Sequence, residues 1–334
     1  MCMVYPVQII SLIVAITACL PWASMAQTDI RSNAFCKTGL PDQPRPTFFS
    51  VERYQSGSYR MRNPAGEDVA IRENSSIAVR LRLPVVLRPG LKVLGSFTYY
   101  DEDFEFTSRE TNSFFSEAFH NKALRSLNAS FYIIKPFRSN WFLINRLQTS
   151  LSGDFNRDNA STGQYLNYSA ASVLGYRKSK NTVLGLGLFY GKDFDGGSLV
   201  PLLAYQHAFN NQWSVDALLP VQTALQYYSA NKKNVVTATV QLNGPEYNIN
   251  LNYPATVANQ YIFERSEVRW SLSERREIHD WLWLGVDVGV NIPLSTNWQS
   301  SNSEPNDSSQ YTFDSSLYTM FSLILVPPRK LLDR

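Results

Sequence analysis

LWLGVDVGVN, residues 282–291, is the stretch that decides the fold. Leucine or valine stands at positions 282, 284, 286, 288 and 290, whereas positions 285, 287, 289 and 291 carry Gly, Asp, Gly and Asn. Side chains of a β-strand point alternately to opposite faces, so a period of two gives one apolar and one polar face. We therefore predict a strand with its two faces in different environments.

The same alternation recurs in residues 77–85, 93–99 and 127–133. Strands of about 10 residues with one apolar and one polar face are the unit of transmembrane β-barrels. Soluble β-sandwiches also alternate, so the pattern alone leaves both architectures open.

The connections between the predicted strands fall into two sets. Short turns are predicted at residues 88–90, 138–140, 178–181, 210–212 and 231–234. Longer polar connections are predicted at residues 63–75, 103–122, 154–164, 191–199, 244–260 and 296–310. Short periplasmic turns alternating with long external loops are typical of outer-membrane barrels.

Aromatic residues make up 13 % of the chain, with 18 Tyr, 19 Phe and 7 Trp. Phe137 with Trp141, and Phe209 with Trp213, flank two of the short turns, and we predict a third such turn at residues 271–280, between Trp270 and Trp281. Amphipathic rings favour the membrane–water boundary. Their positions favour a membrane barrel over a sandwich.

The number of strands depends on residues 213–230, WSVDALLPVQTALQYYSA. One strand here would give an odd total, whereas two short strands meeting near Leu219 and Pro220 give 14. Bacterial single-chain barrels have even strand numbers, and a proline in a turn removes no ladder hydrogen bond. We predict an all-β fold with a single antiparallel barrel of 14 strands, with 12 as the alternative, and both termini on the periplasmic side.

The N-terminus predicts export. Residues 9–20, IISLIVAITACL, form a short apolar core, and Ser24-Met25-Ala26 is a cleavage site of small residues. We predict a signal peptide at 1–26, a periplasmic leader at 27–46, the barrel at 47–326 and a tail at 327–334. A second interpretation is acylation of Cys19. Cleavage before Gln27 would leave Cys36 as the one cysteine of the mature chain, without an internal disulfide partner.

Residues 191–220, GKDFDGGSLVPLLAYQHAFNNQWSVDALLP, resemble a family of Gram-negative outer-membrane β-barrels described only as a domain of unknown function. The shared features are a Gly-x-x-Phe loop, a Pro-Leu-Leu strand ending in Tyr, an Asn turn, a Trp, and a closing Leu-Leu-Pro. The resemblance covers about residues 50–330. It implies an outer-membrane location and a barrel, and it supplies neither a substrate nor a catalytic residue.

Several charged residues are predicted to face the lumen, because a charge on the lipid face costs about 2–4 kcal/mol near mid-membrane. These candidate residues are Arg80, Arg82, Arg146, Asp216, Arg265, Glu267, Arg269, Asp287 and Asp314. They form either an interior network of ion pairs or a constriction that selects solutes.

The sequence predicts no cofactor, no metal site and no catalytic residue. His120, His207 and His279 lack a serine two residues away on the same strand face, the spacing of outer-membrane lipid hydrolases.

A net charge of +3 argues against a nucleic-acid partner. The expected partners are outer-membrane lipids and, during biogenesis, the barrel-assembly machinery. We expect a passive small-solute pore or a structural barrel; a lipid-modifying enzyme and a transporter of hydrophobic compounds are the alternatives.

Overall fold

A computed structural model of the chain describes residues 46–62, 68–88, 90–107, 119, 122–137, 140–155, 162–194, 196–250, 260–300 and 308–329. The predicted signal peptide, nearly all of the predicted leader and residues 330–334 of the predicted tail lie outside these ranges. Within them no helix is long and apolar enough to cross a membrane.

The described residues form 17 β-strand segments. They are β1 (Phe49–Ser56), β2 (Tyr59–Arg62), β3 (Asp68–Arg88), β4 (Leu91–Phe106), β5 (Leu124–Pro136), β6 (Trp141–Gly153), β7 (Leu166–Ser179), β8 (Thr182–Asp193), β9 (Gly196–Ala208), β10 (Trp213–Leu219), β11 (Gln222–Tyr228), β12 (Asn234–Asn243), β13 (Glu246–Asn250), β14 (Gln260–His279), β15 (Leu282–Ser300), β16 (Ser308–Phe313) and β17 (Ser316–Leu325).

The strands close into one antiparallel barrel, in which β1 pairs with both β3 and β17. Short breaks divide three strands of the wall into β1 and β2, β12 and β13, and β16 and β17, so the segments make up 14 strands. Leu219 ends β10 and Gln222 begins β11, which places a turn at Pro220. The prediction of 14 strands, with a hairpin at Leu219-Pro220, is confirmed.

The outer surface of the barrel is apolar. Val286 and Val288 are 43 % and 47 % exposed, whereas Asp287 between them is 6 % exposed. The closing strand β17 alternates buried and exposed residues along its whole length. A wall that turns apolar side chains outward and polar ones inward is that of an outer-membrane barrel.

Several predicted connections are wrong in extent because the strands run further than the apolar alternation indicates. Residues 271–280 form no separate turn: β14 continues to His279 and the turn is at Asp280 and Trp281. Trp270 therefore lies within β14, opposite Val240 and Val290. The predicted connections 63–75 and 191–199 are shortened by the starts of β3 and β9. Ladder hydrogen bonds form in water as well as in lipid, so polar residues prolong these strands beyond the apolar band.

The barrel wall varies in height at the end opposite the start of β1 and the end of β17. We call this end the far end. Strands β10 and β11 have seven residues each, and the part of β9 before Leu203 pairs with β8 alone. Strand β13 stays paired with β14, and its Asn248 also makes a single parallel bridge to Gly153 of β6. β13 therefore leans across the far end and narrows it.

Candidate functional site

The lumen holds the predicted charged residues, and the structure places them in three surroundings. Arg80, Arg82, Arg265, Glu267 and Arg269, together with Glu52 and Glu102, line adjoining cavities on one side of the lumen, and we call these seven residues the charged strip. Its ion pairs form two sets, Arg80 with Glu52, and Arg265 and Arg269 with Glu102 and Glu267. Arg82 lines a cavity beside Glu52 and Arg80. Arg146 lies apart from the charged strip, and the three aspartates are separate from one another.

The central ion pair of the charged strip joins β14 to β4. Arg265 Nη2 lies 2.9 Å from Glu102 Oε1, and Arg269 Nη2 lies 2.9 Å from Glu267 Oε1. The Arg269 guanidinium also lies over the rings of Tyr54 and Tyr318, 5.2 and 5.1 Å from their centroids. Paired in this way, these charges are compensated inside the barrel.

A second pair, Arg80 Nη1 to Glu52 Oε1 at 2.6 Å, joins β3 to β1. The pair borders a cavity of about 60 Å³ that Tyr100 and Asn128 also line. That volume holds a few water molecules and no larger solute.

The three aspartates differ in burial. Asp216 and Asp287 are each 6 % exposed, whereas Asp314 is exposed in the two-residue break between β16 and β17. Asp287 lies opposite Ser273 and Met320 in the ladders. The aspartates are therefore not brought together into one acidic site.

The opposite side of the lumen is apolar, which the sequence analysis missed. Twelve buried residues of β5–β10 and the turn at Pro220 pack together inside the wall, and we call them the apolar sector: Tyr132, Ile134, Phe142, Ile144, Ala171, Val173, Val183, Phe189, Val200, Leu202, Leu218 and Val221. A signal was present, because residues 182–190 and 199–205 are nearly continuous apolar runs, and a strand buried on both faces reads in this way.

Aromatic residues close the far end. Phe119, from the connection between β4 and β5, lies 5.0 Å from Phe104, 5.4 Å from Phe263 and 5.6 Å from Trp298, measured between ring centroids. We call Met61, Val69, Ile71, Phe104, Phe119, Leu124, Tyr247, Ile249, Phe263 and Trp298 the mouth cluster. Each of its members is at most 9 % exposed, so these side chains have little contact with water.

A salt bridge and two hydrogen bonds hold the connections around the mouth cluster. Lys122 Nζ lies 2.8 Å from Asp154 Oδ2, beyond the end of β6, and it also donates to the Asn250 carbonyl at the end of β13. Asp154 accepts the Asn250 backbone N–H at 3.1 Å. These contacts tie β13 to β6 across the opening.

One hydroxyl–imidazole pair bears on the enzyme alternative. Thr182 Oγ1 lies 2.9 Å from His207 Nδ1, on neighbouring strands, which spacing along the sequence could not reveal. Tyr205 and Phe209 pack against the His207 ring, and among the described residues no carboxylate orients it. The described residues also contain no cluster of three or more His, Cys, Asp or Glu suited to a metal ion. The pair therefore lacks the third member of a catalytic triad.

Comparison with known proteins identifies a family and several barrels. The family described as a domain of unknown function, DUF6268, matches residues 97–324. The toluene transporter TodX of P. putida is 10 % identical with a TM-score of 0.43, covering 86 % of this chain and 91 % of that one.

Two further solved structures are an outer membrane channel from Pseudomonas putida F1 and the NanC porin. The first is 11 % identical with a TM-score of 0.43, covering 84 % of this chain and 96 % of that one. The second is 9 % identical with a TM-score of 0.36, covering 84 % and 99 %. No curated protein matches the chain.

Proposed function

The chain belongs to the family described as domain of unknown function DUF6268, and we propose that it is a passive outer-membrane channel for small, largely apolar molecules. The observation that carries the proposal is the apolar sector, a lumen surface of twelve buried apolar residues. Water-filled barrels have polar interiors, because apolar walls exclude water and hydrated solutes. An apolar wall inside the barrel favours solutes that shed their hydration readily.

The polar side of the lumen complements this surface. In the charged strip cations lie beside anions, as in Arg265 with Glu102 and Arg80 with Glu52, so these pairs present little net field to a passing ion. Uncompensated rings of charge, in contrast, select ions in cation and anion pores. The charged strip supports the wall on one side, and the apolar sector is the surface on which a solute moves.

In this proposal the channel is closed at its far end. The mouth cluster packs there, and a cavity of about 60 Å³ lies beside Arg80 and Glu52, so passage requires Phe119 and its neighbours to move. The channel opens at the far end in this proposal.

We also propose that residues 1–26 export the chain and that the protein is not an enzyme. Residues 1–26 would direct the chain into the periplasm and be removed there, and the barrel-assembly machinery would insert the mature chain among outer-membrane lipids. No carboxylate of the described residues orients the Thr182–His207 pair, which supports a channel over a lipid-modifying enzyme.

Entry of a small apolar dye, N-phenyl-1-naphthylamine, into Gram-negative cells tests the proposal. Ala171 faces the apolar sector with 4 % exposure, whereas Ala170 beside it faces the outside of the barrel. We expect faster dye entry with the wild type and with Ala170→Phe than with an empty vector, and slow entry with Ala171→Phe, which obstructs the apolar sector. Heat-modifiable migration on gels identifies folded barrels. Dye entry at the empty-vector rate with folded wild-type protein would overturn the proposal.

A further inference from the structure

Arg146 is a buried cation without a carboxylate partner among the described residues. It lies on β6 with 4 % of its surface exposed. Its Nη2 donates to Gln148 Oε1, and its guanidinium lies 5.5 Å from the centre of the Tyr132 ring. Its Nε and Nη1 atoms are buried, and no described residue accepts a hydrogen bond from either atom. Two donor groups of a full positive charge are thus left without an anion.

Three other lumen arginines, each in an ion pair, provide a comparison for Arg146. Arg80, Arg265 and Arg269 each lie within 3 Å of a glutamate oxygen. A buried charge is strongly unfavourable unless a partner compensates it, so an uncompensated guanidinium in the same lumen indicates a missing anion. Arg is also the side chain best suited to a carboxylate, because its planar fork presents several N–H groups.

The place of Arg146 indicates what kind of anion fits. In the ladders it lies opposite Tyr132 of β5 and Ala171 of β7, both members of the apolar sector. Ile144, two positions before it on the same face, belongs to that sector as well. Gln148, two positions after it, lies among polar groups and reaches Asn128 at 3.4 Å. Arg146 therefore stands where the apolar sector meets the polar lumen.

We propose that Arg146 is the anion-binding residue of a site for small apolar monocarboxylates. The carboxylate accepts hydrogen bonds from Arg146, and the apolar part lies on the apolar sector beside Ile144 and Ala171. The proposal rests on the proposed channel function and narrows its solute class. Binding compensates the buried charge, so the acid is favoured over neutral molecules of the same shape.

Calorimetry with the purified mature protein in detergent micelles at neutral pH tests this site, with hexanoate, hexanamide and acetate as probes. Hexanoate and hexanamide differ in charge and share size, whereas acetate lacks the apolar chain. A hydrogen bond to a charged group contributes enough to make hexanoate bind about tenfold to a hundredfold tighter than hexanamide. Acetate should bind more weakly than hexanoate.

Arg146→Met should abolish the preference for hexanoate over hexanamide. It should still fold, because a long apolar side chain replaces an uncompensated buried charge. Arg146→Lys should retain part of the preference, since it keeps the charge and loses the fork. Arg72→Met, at an exposed ion pair with Glu105, is the matched control and should bind like the wild type.

Equal binding of hexanoate and hexanamide by the wild type, a preference that survives in Arg146→Met, or no binding of either compound would overturn the site. Acetate binding as tight as that of hexanoate would overturn the apolar part of the assignment. Dye entry separates this proposal from the channel function: if Arg146→Met cells admit N-phenyl-1-naphthylamine at the wild-type rate while no acid site is found, only the acid site fails.

Discussion

Arg265 and Glu102 form an ion pair, 2.9 Å between Nη2 and Oε1, that joins two strands without shared ladder hydrogen bonds, β14 and β4. Glu102 also accepts hydrogen bonds from Asn74 Nδ2 at 2.8 Å and from the Tyr247 hydroxyl at 3.2 Å. The carboxylate is therefore the point at which β3, β4, β13 and β14 are linked through the lumen.

Arg265→Met should lower the free energy of unfolding by about 3–5 kcal/mol, because Glu102, with 1 % of its side chain exposed, would keep its charge without the cation. Adding Glu102→Gln removes that charge and should restore most of the stability. Urea titration followed by heat-modifiable migration measures both variants. Arg72→Met, at the exposed pair with Glu105, should cost no more than about 1 kcal/mol. Equal losses in the single and double variants would contradict the ion-pair account.

Arg substitutions at Val286 and Val288 test which face of β15 meets lipid. Each variant should lose about 2–4 kcal/mol if the position lies near mid-membrane, because both side chains are exposed on the outside of the barrel. Asp287→Asn should assemble normally, since Asp287 points inward and an amide keeps part of the hydrogen bonding. Folded barrel is scored by heat-modifiable migration. Normal folding of both Arg variants would show that the facing assignment is wrong.

Gly289→Ala should destabilise the barrel by about 1–3 kcal/mol through overpacking. A Cβ atom at Gly289 would lie 2.2 Å from the Trp270 carbonyl oxygen and 2.7 Å from the Tyr318 ring, so strand or ring must shift. Gly90→Ala, in the turn between β3 and β4, is the control, because its Cβ would meet nothing within 4 Å. Urea midpoints compare the two, and a neutral Gly289→Ala would contradict the close approach.

Phe119→Ala should increase ion conductance in planar bilayers. Phe119 is 2 % exposed and its ring contacts three other aromatic rings of the mouth cluster, so its removal opens a gap where the far end is now sealed. The control is Phe209→Ala on the outer surface, where Phe209 is 58 % exposed. Unchanged conductance in Phe119→Ala would place the seal elsewhere.

Cysteine labelling tests the orientation in the membrane. In a Cys36→Ser background, Arg72→Cys near the far end should react with a membrane-impermeant maleimide on whole cells, whereas Asn211→Cys, in the turn between β9 and β10, should not. Arg72 and Asn211 are both exposed and lie at opposite ends of the barrel. The reverse labelling pattern would invert the topology.

The family assignment and the barrel could both be predicted from the sequence, because they depend on local, periodic features. Alternation in residues 282–291 assigns Val286 and Val288 to one face and Asp287 to the other, since a strand has a period of two. Pro220 marks the turn that makes the strand number even. The ends of β3 and β14 were misjudged, because hydrogen-bonded ladders continue where the apolar signal stops.

Only the closure of the barrel decides which charged side chains in the lumen form ion pairs with one another. Arg265 and Glu102 are 163 residues apart, and only the curvature of the sheet brings β14 towards β4. Sequence placed Arg146 in the lumen with Arg80 and Arg265, but it could not show that, of these three, Arg146 is the one without a carboxylate partner among the described residues. Strand alternation depends on each residue and its near neighbours, whereas compensation of a buried charge depends on residues from distant strands that share one enclosed volume.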